Sequence, residues 1–217
     1  MKKTTLFVLL VLVAFTLNAS MSVEAGIGSS NICTDEEDAL FFDAGFDLDA
    51  WTFYIGWRGD DNLSASATWA GSTGIITHQG DLFSRFVFGY GGFTGISYMG
   101  ILNLNCSGFY FNLGGGAEGA LSYSLYTKTP LFIMSPQYRI RLGYRGDYYH
   151  VSLFLENNYR YEREWNAKSS AGIDLEFALS SFDFLTLDLS FTSAEVLMDP
   201  YRVLYAYRMR AGYRRVL

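Results

Sequence analysis

The sequence predicts an all-β protein that folds as a closed antiparallel transmembrane β-barrel of about 12 strands, within a range of about 8 to 12. Three observations support this fold class. Tyrosine and phenylalanine contribute 16 and 18 residues against 3 prolines, a composition that favours strands. Apolar and polar side chains alternate with a period of two along most of the chain. No apolar run after residue 17 is long enough for a membrane-spanning helix.

Two tight turns support the predicted strand pairing. In the segment Leu40–Leu48 the apolar residues are even-numbered, whereas in Trp51–Trp57 they are odd-numbered. A two-residue turn at Asp49–Ala50 would place both apolar sets on one face of the hairpin. A turn at Gly146–Asp147 passes the same register test. The alternation therefore belongs to paired strands and not to isolated segments.

Twelve alternating segments follow one another along the chain. An even count leaves both chain ends on the periplasmic side, with the longer connections near 71–81, 128–131, 164–170 and 194–200 outside the cell. The run Gly114–Gly116 is predicted as a turn. The predicted strands are 38–48, 51–58, 63–70, 82–90, 95–105, 108–114, 118–127, 132–145, 148–163, 171–180, 184–193 and 201–217.

The beginning of the chain is typical of a secretory signal peptide. Lys2 and Lys3 precede the apolar run Leu6–Leu17, which is too short to cross a bilayer, and small residues follow. Cleavage is predicted after Ala25, with a cut after Ala19 as the alternative. The predicted organisation is a signal peptide over 1–25, a periplasmic lead-in over 26–37 and a transmembrane barrel over 38–217.

The second face of the strands decides between a barrel and a sandwich. It is polar or charged throughout, so a sandwich would have no second apolar layer for its core. Closure with the apolar face outward resolves this, because a closed barrel pairs every backbone group. The residues predicted to line the lumen, and to influence selectivity, are Asp43, Asp47, Glu118, Arg139, Arg141, Arg145, His150, Glu156, Asp174, Glu176, Asp188, Arg208 and Arg210.

The distribution of charge predicts two functions that depend on lumen width. Residues 26–130 contain eleven acidic and three basic side chains, whereas residues 131–217 contain ten acidic and eleven basic side chains. In this arrangement Arg139, Arg141, Arg208 and Arg210 would face Asp43, Asp47 and Glu118. A narrow lumen would be sealed by ion pairs, whereas a wide one would hold water in a transverse field and select ions or small polar solutes. A small channel is the first prediction and a sealed scaffold barrel the second.

The chain end resembles the family of bacterial outer-membrane β-barrel proteins. Val203, Tyr205, Tyr207, Met209, Ala211 and Tyr213 occupy alternate positions before Leu217. The family commonly ends in an aromatic residue, whereas this chain ends in leucine and has Arg215 where an apolar residue is usual. The resemblance implies location in the bacterial outer membrane, contact with its lipid and insertion by the barrel assembly machinery. Length and arginine content also make the chain similar to small monomeric porins for acidic sugars.

An enzymatic alternative rests on His150 and Ser152, with Glu156 and Glu164 as orienting acids. This spacing resembles the His-x-Ser arrangement of outer-membrane lipid A deacylases, although Leu153 and Phe154 replace the asparagine and alanine that typically follow. The predicted strand directs His150 into the barrel, whereas a lipid hydrolase needs access from the membrane. The sequence therefore predicts no enzyme.

Three further features limit the function. A third alternative is an adhesion barrel that binds through the loop Arg163–Lys168, where Trp165 is a contact residue or an interfacial anchor. The net charge of −6 disfavours nucleic acid as a partner. No metal cluster, phosphate loop or cofactor signature is found. A disulfide between Cys33 and Cys106 and the oligomeric state are left open by the sequence.

Overall fold

The computed structural model describes a protein built from strands and turns. The described residues are 20–30, 37–58, 62–87, 91–124, 128, 130–157, 161–162, 165–196 and 199–217. Within this part of the chain no helix is long and apolar enough to cross a membrane. The strands are β1 Ser20–Ser30, β2 Glu37–Leu48, β3 Trp51–Arg58, β4 Asn62–Thr73, β5 Ile76–Val87, β6 Gly91–Cys106, β7 Phe109–Ser124, β8 Pro130–Arg145, β9 Tyr149–Glu156, β10 Tyr161–Glu162, β11 Trp165–Ala178, β12 Asp183–Val196 and β13 Asp199–Val216.

The strands close into a twelve-strand antiparallel barrel, which confirms the predicted fold class. Each strand pairs with its neighbours in sequence, and β1 pairs with both β2 and β13. The two-residue strand β10 pairs with the first residues of β11, while β9 pairs with the rest of that strand. Twelve strands about 4.8 Å apart and tilted by about 40° enclose a backbone radius of about 12 Å.

The predicted count of twelve is right because two errors compensate. The strand β1 was not predicted, and the single strand β7 was predicted as two strands separated by a glycine turn. The turn at Gly114–Gly116 is wrong: none of these glycines has a positive φ, and each pairs with a residue of β6. A Cβ at Gly114 would lie 2.7 Å from Sδ of Met99, so glycine there makes room for a neighbouring side chain.

The two ends of the barrel have different connections. One end, here called the turn end, carries Ser20 and Leu217 together with the tight turns at 49–50, 74–75, 107–108, 146–148 and 179–182. The long outer connection predicted at 71–81 is wrong, because Gly74 and Ile75 form a two-residue turn at this end. Because β1 was not among the predicted strands, the strands from β2 to β6 were predicted to run in the wrong direction across the membrane. The division of β7 into two predicted strands restored the correct direction for the strands that follow. Connections at the opposite, far end lie largely outside the described residues.

The outer surface is apolar and is bordered by aromatic rings at the turn end. Leu82, Ile96, Phe132 and Phe191 are each more than half exposed on this surface. At the turn end, Phe109 contacts Tyr144 edge to face at 4.8 Å, and Tyr144 contacts Tyr149 at 5.6 Å. Trp51, Trp69 and Tyr213 are also partly exposed there. This pattern of an apolar band with an aromatic border is typical of barrels in lipid.

The position of β1 bears on the predicted signal cleavage. Met21, Val23, Ala25 and Ile27 alternate with polar or small residues, and Met21 packs with Val23, Ala44 and Phe46 on the outer surface. The structure differs from the predicted lead-in over 26–37, because Gly26–Ser30 completes this strand. A cut after Ala25 would remove half of β1, whereas a cut after Ala19 leaves the strand whole.

We therefore expect the mature protein to begin at Ser20. Removal of Ser20–Ala25 would leave unpaired backbone groups on both β2 and β13, which a barrel in lipid does not tolerate. The intact mass of protein purified from outer membranes distinguishes the two cleavage products. A mature chain that begins at Gly26 would contradict this expectation.

Candidate lumenal site

The inward face of the barrel collects the residues that the sequence predicted for the lumen. Alternation along paired strands directs Arg139 and Arg141 of β8 to the same side as Glu156 of β9 and Asp174 of β11. Register pairs His150 with both Arg145 and Glu176 near the turn end. Asp43, Glu118, Asp188, Arg208 and Arg210 also occupy inward positions on their strands.

The described residues include five arginine–carboxylate pairs around the lumen. Two join neighbouring strands: Nε of Arg139 lies 3.2 Å from Glu156, and Nη2 of Arg208 lies 2.9 Å from Asp188. The other three pass over an intervening strand. They are Arg141–Asp174 at 3.3 Å, Arg210–Asp43 at 2.5 Å and Arg214–Glu176 at 2.5 Å. All five are partly accessible, so each stabilises the fold by a modest amount while its charges remain available to the lumen.

Aromatic rings on the inward face support these long-reaching arginines. The guanidinium of Arg210 lies 3.9 Å from the ring centroid of Phe41, and those of Arg141 and Arg214 lie 5.4 and 5.0 Å from Phe154 and Phe184. Such cation–π contacts contribute about 0.5–2 kcal/mol each. They also orient the planar guanidinium groups along the lumen wall. The arginine positions are therefore fixed by both charge and ring stacking.

Inward glycines leave room for these rings. A Cβ at Gly172 would lie 2.6 Å from Cζ of Phe154, and one at Gly212 would lie 2.9 Å from Cζ of Phe41. Both glycines lie on strands next to or near the one that carries the ring. The rings therefore lie close to bare backbone, at positions that a larger residue than glycine would occupy.

An acidic wall lies on β5 and β7, with β6 between them. Asp81 accepts hydrogen bonds from Ser97 at 3.0 Å and from Gln79 at 3.1 Å. Gln137 donates to Oε2 of Glu118, a side chain that is only 6% exposed and whose Oε1 has no hydrogen-bond partner. In the order of twelve strands, β13 lies about opposite this wall. A cavity of about 620 Å³ is lined by Asp81 and Glu118 and also by Arg208 and Arg210.

A second cavity opens towards the turn end. It has a volume of about 740 Å³ and is lined by Arg141 and Arg145, as well as by asparagines of β6 and β7. His150 belongs to this cavity, and its Nε2 lies 2.7 Å from the hydroxyl of Tyr110. The cavity is thus polar and mainly basic, whereas the first cavity carries opposed charges.

Not every predicted lumen residue takes the predicted partner. Asp47 is exposed at the turn end, where hydroxyls of Thr52 and Ser20 donate to it at 2.7 and 3.3 Å, and no arginine contact is described for it. Sequence reasoning also missed the acceptor Gln79, the acid Asp81 and the inward phenylalanines. The alternation of β5 could have revealed the first two. No pattern in the sequence indicates that the inward phenylalanines support arginine side chains.

The geometry around His150 does not form a catalytic pair. Ser152 is fully buried at 0% exposure, and its hydroxyl donates to Asp174 at 3.3 Å and not to His150. The ring of His150 is instead engaged by Tyr110. The side chains of Glu164 and of the whole loop Arg163–Lys168 lie outside the described part of the chain. The serine–histidine hydrogen bond that activates a serine nucleophile is therefore not formed by this pair.

Two other predictions concern cysteine and metal chemistry. Cys106 is exposed with a free thiol beside the β6–β7 turn, and Cys33 lies outside the described residues. Within the described part of the chain, no three His, Cys, Asp or Glu side chains form a group that could hold a metal ion.

The closed sheet, apolar exterior and charged lumen define the fold of bacterial outer-membrane β-barrels. No protein-family model and no curated protein sequence matches the chain. Among solved structures, the chain is similar to the NanC porin, with a TM-score of 0.59 and 8% identity over 91% of this chain and 100% of that one. The KdgM porin in complex with disordered oligogalacturonate gives a TM-score of 0.55 and 7% identity, over 89% and 98% of the two chains. The translocator domain of the autotransporter NalP from Neisseria meningitidis gives 0.50 and 10%, over 99% and 95%.

Glycine spacing inside the barrel predicts a site-specific loss of stability. A Cβ at Gly95 would lie 2.5 Å from Cζ of Phe83 and 2.7 Å from the backbone oxygen of Gly119. We expect Gly95→Ala to destabilise the barrel by about 1–3 kcal/mol, the usual cost of overpacking. The measurement is the temperature at which the folded form converts to the unfolded form on a gel. Gly100→Ala on the same strand is the control, because a Cβ there meets nothing within 4 Å. Equal behaviour of the two variants would refute the role of Gly95.

Proposed function

We propose that this protein is a bacterial outer-membrane channel for the passive diffusion of ions or small polar solutes. The observation that supports this best is the lumen, which contains polar cavities of about 740 and 620 Å³. A barrel of eight strands is just wide enough for side chains to fill its interior, and the width grows with the number of strands. Twelve strands therefore favour a water-filled path.

The outer surface supports a position in the outer membrane. Its apolar belt would contact outer-membrane lipid, and the aromatic rings at the turn end would lie at the membrane interface. A signal peptide would direct export of the chain. The alternating strand β13 would be recognised by the barrel assembly machinery during insertion.

The charges of the lumen suggest how solutes are selected. Arg208 and Arg210 line the same cavity as Asp81 and Glu118, which lie on about the opposite wall. Opposed charges produce a transverse field that orders water and acts on dipolar or charged solutes. Polar solutes are also favoured by analogy with the KdgM porin, which is described in complex with oligogalacturonate.

A sealed barrel with a surface, scaffold or adhesion role is the second candidate. It is favoured by the ion pairs along the lumen wall and by the contact of Arg139 with side chains on two sides. If these contacts block the path for water, the same network would only stabilise the fold.

Conductance distinguishes the two candidates. We expect the purified mature protein to give stable single-channel currents in a planar bilayer, with a conductance that increases with salt concentration. Heat-denatured protein from the same preparation is the control. Repeated insertion of folded barrels without current would exclude the channel in favour of the sealed barrel.

The pair Arg141–Asp174 predicts opposite changes in ion preference. Both side chains are 30% exposed and face the lumen. Arg141→Ala removes a positive charge and should shift the reversal potential in a salt gradient towards cation preference, whereas Asp174→Ala should shift it towards anion preference. Arg215→Ala is a suitable control, because this side chain lies on the outer face at the turn end. Shifts of the same sign in both lumen variants would contradict this arrangement.

A further inference from the structure

The two lumen cavities meet at one residue. Among the described residues, Arg139 alone lines both the turn-end cavity and the cavity between the charged walls. Its backbone lies on β8, close to the middle of that strand. The two cavities therefore adjoin at this side chain.

Arg139 is held from two directions. On one side its Nε donates to Oε2 of Glu156 on β9 at 3.2 Å. On the other side its Nη1 donates to Oε1 of Gln79 on β5 at 3.3 Å, although β6 and β7 lie between these strands. The guanidinium therefore connects β9 with β5 along the inner side of the barrel. Gly114 permits this position, since its missing Cβ would lie 3.3 Å from Cβ of Arg139.

The orientation of Gln79 is fixed by a neighbouring acid. Its Nε2 donates to both carboxylate oxygens of Asp81 at 3.1 Å, which leaves Oε1 for Arg139. A chain of hydrogen bonds therefore connects Asp81 and Gln79 on β5 to Arg139 on β8 and Glu156 on β9. Because every member has a defined donor or acceptor role, the contact between Arg139 and Gln79 has a single stable orientation.

We infer that the contact between Arg139 and Gln79 is the narrowest section of the lumen and limits which charges cross it. This inference rests on the proposed channel function. Gln79 is a neutral acceptor, whereas an anionic oxygen of a solute forms a stronger, charge-assisted hydrogen bond with a guanidinium. A small carboxylate, phosphate or halide can replace Gln79 and open the contact. A cation cannot replace it and is repelled by the same guanidinium.

Single-channel recording of the full mature chain tests this inference through Gln79. The contact between Arg139 and Gln79 is here called the latch. Gln79→Ala removes the latch but keeps the positive charge of Arg139, so conductance in potassium chloride should increase by about twofold with anion preference retained. Gln79→Glu replaces the neutral acceptor with a carboxylate that holds Arg139 as an ion pair, so conductance should fall. Thr77→Ala is the matched control, because Thr77 lies two residues away on the same inward face of β5 and lines only the turn-end cavity.

Arg139→Ala completes the test. It should join the cavities, increase conductance and weaken anion preference, and heat-modifiable mobility on a gel verifies that each variant is folded. If the wild-type protein gives no current but Arg139→Ala conducts, passive diffusion through the wild-type lumen is refuted and the latch is supported. If the wild type conducts and the Gln79 and Arg139 variants match Thr77→Ala, the latch is refuted and the channel stands. Silence of every folded variant would overturn both.

Discussion

Closure of the sheet by the pairing of β1 with β13 is the constraint on which the rest of the structure depends. Without this pairing, β1 and β13 would each present a row of unpaired backbone groups, which is prohibitive in hydrocarbon. Closure also gives the two faces of the sheet different surroundings. Alternate residues must then be either outward and apolar or inward and polar, so the register between Glu24, Asp43 and Arg214 across three strands assigns their charges to the lumen.

The lumen combines a high charge density with two polar cavities. Arginines that reach over an intervening strand need a surface to lie on, and inward rings such as Phe154 provide it, while glycines such as Gly172 accommodate the rings. Acids then neutralise most guanidinium groups locally. This arrangement explains how the described arginines of β8 and β13 can line the lumen without making it uniformly positive.

The fold could be predicted from sequence because alternation is a local property, although the two-residue turn expected at Gly146–Asp147 is wrong, since Arg145 pairs with His150. The β2–β3 hairpin, with its turn at Asp49–Ala50, follows from parity alone. The strand β1 could not be recognised in this way, because Val23, Glu24 and Ala25 also match a cleavage site. The glycines of β7 resemble a turn in sequence, and only the neighbouring Met99 reveals that they make space. Inward direction was predictable, but partners such as Gln79 for Arg139 depend on strand curvature and on contacts across several strands.

The charge of the partner of each arginine determines which contact in the lumen a solute can replace. Within the described part of the lumen, Arg141, Arg210 and Arg214 each contact a carboxylate, and an anionic solute gains little by replacing a partner of equal charge. Arg139 differs because one of its two partners is a neutral amide, itself oriented by Asp81. The exchange of that partner leaves the ion pair with Glu156 in place. Movement of a single side chain can therefore connect two cavities while the barrel wall and the remaining ion pairs are unchanged.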